Sequence, residues 1–146
     1  MSRYRGIPRM AIILLPVLLL SACRPASVVS NESEDVQITL TDYRFETAST
    51  TFVVGVPYHF TLTNEGKIAH EFMIMKPIGP SMGMDMEELD EIALTHVDAD
   101  ELPADGSASV DYTFTTPQAA GDLEFACHIP GHYEAGMNLP ITVIQP

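Results

Sequence analysis

The sequence has no tryptophan and only two cysteines, Cys23 and Cys127. Two thiols cannot make a multiply stapled disulfide scaffold, and they fall short of the three or four thiolates of a Cys-rich zinc site. Basic residues are scarce as well. Seven Lys and Arg stand against twenty Asp and Glu, a formal net charge of −13. Nucleic-acid backbones are held by clustered Lys and Arg, so nucleic acid is not an expected partner. There is no GxGxxG and no Walker A loop, and hence no phosphate-cradling signature. What the chain does have is apolar content: 46% of its 146 residues are hydrophobic, enough for one core in a single domain of ordinary size.

The amino-terminal segment reads as an export signal. Arg3, Arg5 and Arg9 form a basic n-region ahead of an apolar run from Met10 to Ala22. That run is too short for the roughly 20 residues needed to span a bilayer and fits a signal-peptide h-region. It ends Leu20-Ser21-Ala22-Cys23, which resembles the lipobox of bacterial lipoproteins, where the cysteine receives the lipid. The expected organisation is a signal peptide over 1–22, a polar lipidated tether over 23–35 and a folded domain over 36–146. An ordinary secretory signal cleaved near Ala22 is the alternative. After cleavage, four basic and twenty acidic residues remain, a charge of −16. Cys127 is then the one free thiol. In an exported protein such a thiol is buried, reactive or metal-bound.

Period-two alternation dominates the rest of the chain. Val36, Ile38 and Leu40 alternate with polar neighbours, as do Tyr58, Phe60 and Leu62, and Val110, Tyr112 and Phe114. Leu123, Phe125 and Cys127 share one strand face, Ile141 and Val143 another, and shorter runs lie near Thr51–Val54 and Ile68–Met75. Short strands between Gly, Pro and Asn turns predict an all-β, antiparallel sandwich of about seven to eight strands. Between Pro77 and Gly106 the pattern changes. Met86, Leu89, Ala93 and Val97 fall at helical spacing among nine acidic residues, which predicts one short acidic helix over roughly Asp85–His96.

Chemistry concentrates near the carboxyl end. Cys127, His132 and Met137 stand at Cys-x4-His-x4-Met spacing, and His70 lies upstream on an expected strand. Two imidazoles, a thiolate and a weakly held thioether are the donors of a blue-copper electron-transfer site. Strand phase points Cys127 inward with Leu123 and Phe125, and His70 inward with Phe72 and Ile74. Gly131 and Gly136 permit tight bends in the loop that carries His132 and Met137. The alternative is a buried core cysteine near two unrelated histidines.

On these residues the chain resembles the cupredoxins, the small type 1 copper proteins, over roughly Val36–Gln145. The ligand-loop spacing is most like that of rusticyanin and auracyanin, and Asn64 and Gly66 ahead of His70 are similar to the family pattern. The resemblance implies a Greek-key sandwich and one type 1 copper on His70, Cys127, His132 and Met137. It also implies an apolar collar around His132, here Pro130, Tyr133, Leu139 and Pro140. Many members place Asn directly after the first His, tying the two ligand loops together; this chain has Glu71 there. His128, next to Cys127, occupies a position that serves a second copper in multicopper enzymes. No His-x-His pair accompanies it, and strand alternation turns it outward.

Two function classes follow. The first is an electron-transfer protein, not an enzyme, held outside the cytoplasm by a lipid on Cys23 at the bacterial cell membrane or its periplasmic face. It would act as a monomer on a redox partner with a basic surface, such as a c-type cytochrome or an oxidase domain. The second is extracytoplasmic copper handling, as in copper-resistance proteins that this chain also resembles, with Met82, Met84, Met86 and His128 as an auxiliary copper site. Core packing is the ordinary role of such methionines, and Met73 and Met75 fall on the strand face opposite His70, where the acidic helix could cover them.

Overall fold

A computed structural model describes residues 32–80 and 84–146. The expected signal, Cys23 and the expected tether as far as residue 31 lie outside the described residues, as does Met82; the tether's last two residues, Glu34 and Asp35, already belong to the first strand. Among the described residues nine strands form two sheets. One sheet has the order β2-β1-β4-β7, made of β2 (Arg44–Thr47), β1 (Glu34–Thr41), β4 (Pro57–Asn64) and β7 (Ser107–Thr113). The other has the order β3-β9-β8-β5-β6, made of β3 (Thr51–Val53), β9 (Asn138–Ile144), β8 (Gln118–Ala126), β5 (Phe72–Met75) and β6 (Thr95–Val97). Most neighbours are antiparallel. Two ladders, β1 with β4 and β3 with β9, are parallel.

The alternation seen in the sequence is the alternation of burial. Val36, Ile38 and Leu40 from β1 meet Tyr58, Phe60 and Leu62 from β4 on the inner face, with Leu123, Phe125, Ile141 and Val143 opposite. Aromatic rings fill the middle. Phe52 stacks on Phe114 at 5.2 Å and lies 5.9 Å from Phe125, which is itself 5.0 Å from Phe72. Aromatic pairs of this kind add ~0.5–1.5 kcal/mol each beyond their area. This packing fixes the ends of β5 and β8, from which the candidate site is built.

The helix is shorter than its periodicity predicts. α1 spans Met86–Ile92, opened by a capping box in which Asp85 accepts from the Glu88 N–H and the Glu88 side chain accepts from the Asp85 N–H. It stops because the chain is then recruited by the sheet. Ala93 is extended, the Leu94 N–H donates to the Ile74 carbonyl, and Thr95–Val97 pair with β5. His96 is therefore an exposed strand residue, and Val97 reaches the main core from β6 rather than from a helix. Leu89 does bury beneath the helix, against Met73, Met75 and Ala126, the predicted packing role of those methionines. Among the described residues no helix is long and apolar enough to cross a membrane.

Candidate metal centre

Four connections, β1–β2, β4–β5, β6–β7 and β8–β9, converge at one end of the sandwich. His70 lies in the link between β4 and β5, two residues before the strand on which sequence pattern places it. Asn64, at the end of β4, organises this link. Its Oδ1 accepts from the Gly66 N–H at 2.8 Å, and its amide nitrogen donates towards the carbonyls of Ile68, Leu102 and Pro103 at 2.9–3.0 Å. The His70 N–H donates to the Leu102 carbonyl at 3.1 Å. Asn64 is 1% exposed, so these bonds are made away from water, where an unmade bond is costly.

Cys127 follows the last residue of β8, and His132 and Met137 arrive on the β8–β9 connection. That connection is a run of tight turns. The His132 N–H donates to the Ile129 carbonyl, the Met137 N–H to the His132 carbonyl and the Cys127 N–H to the Met137 carbonyl. Gly131 and Gly136 have φ of 91° and 98°, a backbone conformation that disfavours a side chain. Cys127, His70 and Met137 are fully buried and His132 is 7% exposed.

The donors face one another. His70 Nδ1 lies 3.2 Å from His132 Nδ1, which lies 3.3 Å from Cys127 Sγ. Burial pushes the Cys127 thiol up to about 12, so without a metal it is protonated at neutral pH. Burial, and next the facing His70, lower the pKa of His132. The lowered His132 pKa keeps that imidazole in its neutral, ligating form, and a cation placed among these atoms would offset the cost of the buried Cys127 thiolate. One soft sulfur and two imidazoles, buried and held by backbone bonds, fit a type 1 copper site.

Around the donors the structure corrects and extends the sequence. His128 does not face solvent; it is 2% exposed, because the outer face of β8 is covered here by the helical insertion and Tyr133. Its ring stacks on Tyr133 at 4.6 Å, and neither ring nitrogen has a hydrogen-bond partner. Glu71 takes the place of the family's loop-tying Asn. Its buried carboxylate accepts a hydrogen bond from the His128 N–H and is raised to about 7, chiefly by desolvation. Tyr133, expected in the collar, is half-buried, and its hydroxyl donates to Glu124 at 2.9 Å. Met84 is exposed, and Met86 packs against the Leu89 cluster. Two residues that sequence reasoning missed flank the donors. Asp42, in the β1–β2 turn, bonds His70 Nε2 at 2.9 Å, and the Tyr43 ring stands edge-on to His132 at 4.9 Å. No local signal marks either one. A second group, Asp90, His96 and Asp98, brings its ligand atoms within 4.8 Å of one another on the surface beside α1.

Comparison with known proteins agrees with this geometry. The family model for copper binding proteins of the plastocyanin/azurin family matches residues 32–144. The chain is 33% identical to the copper-resistant cuproprotein CopI of Rubrivivax gelatinosus, over 70% of this chain and 61% of that protein. It is 29% identical to the copper-resistant cuproprotein CopI of Pseudomonas aeruginosa, over 84% of this chain and 82% of that one. It spans less than two thirds of the Rubrivivax protein's length. The fold is similar to that of dithionite-reduced auracyanin from Roseiflexus castenholzii, with a TM-score of 0.59 and 19% identity, over 77% of this chain and 98% of that one. With two buried imidazoles and a thiol converging at the end of its sandwich, this chain belongs to the plastocyanin/azurin family of copper-binding proteins.

Proposed function

We propose that the protein carries one type 1 copper on His70, Cys127, His132 and Met137 and works as an electron-transfer protein outside the cytoplasm, tethered by a lipid on Cys23. The observation that carries this reading is the convergence of His70 Nδ1, His132 Nδ1 and Cys127 Sγ within 3.3 Å steps in a buried pocket. Copper there would supply a one-electron Cu(II)/Cu(I) couple. The protein's contribution is to hold its donors still. His70 is fixed through Asn64 and the Leu102 carbonyl, His132 through the Ile129 carbonyl, and Cys127 and Met137 through each other's backbone. A pocket that does not relax between oxidation states keeps the reorganisation accompanying electron transfer small.

The test is titration of the domain from residue 24 with Cu(II), followed by optical and EPR spectra. One equivalent should bind with an intense thiolate-to-copper band. Cys127→Ser should abolish the band, and Met137→Leu should keep it while raising the reduction potential. A coloured Cys127→Ser protein would overturn the assignment.

A second reading is copper handling, favoured by the two relatives named as copper-resistant cuproproteins. It predicts more than one Cu(I) per chain, with Met82, Met84, Met86 and His128 as the extra donors. It also predicts a copper-sensitive deletion strain with normal respiration. Rapid, reversible exchange of a single copper-borne electron favours the carrier.

A further inference from the structure

The β1–β2 turn belongs to the four-stranded sheet, whereas His70 leads into β5 of the other. Asp42 in that turn reaches across to His70, its Oδ1 lying 2.9 Å from His70 Nε2. The carboxylate is held in turn by the Lys67 N–H, at 3.0 Å to Oδ2 and 3.3 Å to Oδ1. His70 is fully buried and the Asp42 side chain is 27% exposed, so water competes only from the carboxylate's outer side. Gly66 makes room for the pair. A Cβ at that position would overlap Asp42 Oδ1 and stand 2.8 Å from His70 Nε2. Gly66 is not one of the positive-φ glycines, so it is there for space rather than for a left-handed backbone.

We propose that Asp42 is a positioning residue of the copper centre, which fixes the Nε2–H tautomer of His70, aims Nδ1 at the metal and biases bound copper towards its divalent state. This rests on the copper reading above. An imidazole has its two nitrogens on opposite sides of the ring. A proton held on Nε2 by a carboxylate leaves the Nδ1 lone pair free, and Nδ1 is the atom that faces His132 Nδ1. A carboxylate partner also makes the imidazole a stronger donor than a neutral carbonyl would, and its negative charge favours the more highly charged ion. Both effects stabilise Cu(II) over Cu(I) and so lower the reduction potential.

The experiment compares wild type, Asp42→Asn and Asp42→Ala. Asp42→Asn keeps one acceptor oxygen, which can face His70, but removes the charge and the Oδ2 acceptor of the Lys67 N–H. In the metal-free protein, nitrogen-15 NMR of the imidazoles should show His70 as a single Nε2–H tautomer in wild type and Asp42→Asn, and as a mixture in Asp42→Ala. In the copper-loaded protein, Cu(II) affinity should fall about tenfold or more in Asp42→Ala, within the range usual for a lost outer-sphere partner. Cu(I) affinity should fall less, so the potential rises in both variants and further in Asp42→Ala. Wild-type Cu(II) affinity and potential in both variants would overturn the proposal. So would an Nδ1–H tautomer for His70 in the metal-free wild type. Failure of the wild type to take up Cu(II) would instead overturn the copper reading, and the tautomer measurement needs no copper.

Discussion

The Glu71 carboxylate accepts a hydrogen bond from the backbone N–H of His128, tying the residue after one imidazole to the residue after the thiol. The two are 57 positions apart and both are buried, Glu71 at 2% exposure. An amide at position 71 could accept the same bond. The carboxylate does so at the cost of desolvation, which is why its pKa rises to about 7.

Two variants separate the acceptor from the charge. Glu71→Ala leaves the His128 N–H unpaired and should cost about 1–3 kcal/mol in denaturant unfolding of the metal-free protein. Glu71→Gln should cost less, because an acceptor remains. The folded pKa of Glu71 lies above the ordinary 4.5, so the fold favours its protonated form. The associated stability is complete below pH 4.5 and is lost as pH rises through about 7. Wild-type metal-free protein should therefore weaken across that window, and Glu71→Gln should flatten the trend. Equal pH slopes in the two proteins would show that Glu71 is not the group responsible.

Tyr43 stands edge-on against His132 and is itself 41% exposed. Tyr43→Ala should lower stability by about 1 kcal/mol, the order of one aromatic contact. It should also open the His132 edge, so that azide perturbs the copper spectrum at lower concentration than in wild type. Identical azide titrations would mean that the ring shields nothing.

The sandwich was legible in the sequence because an inner face repeats every second residue, and Ile38, Phe60 and Phe125 fall in that phase. The donors at 127, 132 and 137 were legible because one loop holds them, so spacing alone groups them. The rest depends on contacts that spacing does not encode. Val97 continues the apolar spacing of α1, yet the open edge of β5 draws Thr95–Val97 into a strand. His128 has the alternation of an outward residue, but the insertion turns the outer face of β8 into a second core. Asp42 meets His70 only because two sheets pack.

His128 provides a test between packing and metal binding. Its nitrogens are buried and unpartnered, so the ring currently carries a desolvation cost that also lowers its pKa. His128→Phe keeps a ring against Tyr133 and removes both polar atoms. Stability of the metal-free protein should hold or rise by about 1 kcal/mol, and copper stoichiometry should stay at one. A fall from two coppers to one would place His128 in an auxiliary site and favour copper handling.

The last expectation concerns the electron-transfer partner. Glu87, Glu91, Asp100 and Glu101 are exposed on the acidic insertion and make no side-chain hydrogen bond among the described residues. Asp90 and Glu88 are less suited to carry a docking charge, since one Asp90 oxygen is buried and Glu88 closes the helix cap. Such a face acts on the rate of encounter more than on the lifetime of the complex, because complementary charge steers approach while contact chemistry sets dissociation. The expected partner surface is basic, as on a c-type cytochrome. At ~0.15 M salt the Debye length is about 8 Å, so steering should fade over that range. The second-order electron-transfer rate with a basic c-type cytochrome should therefore fall steeply with salt in the wild type. Converting the four exposed acids together to Gln or Asn should lower the low-salt rate and flatten the slope, while leaving the copper spectrum unchanged because none of them touches His70, Cys127 or His132. A salt-independent wild-type rate, or a quadruple variant with wild-type kinetics, would mean that the acidic face keeps the protein soluble and guides no partner.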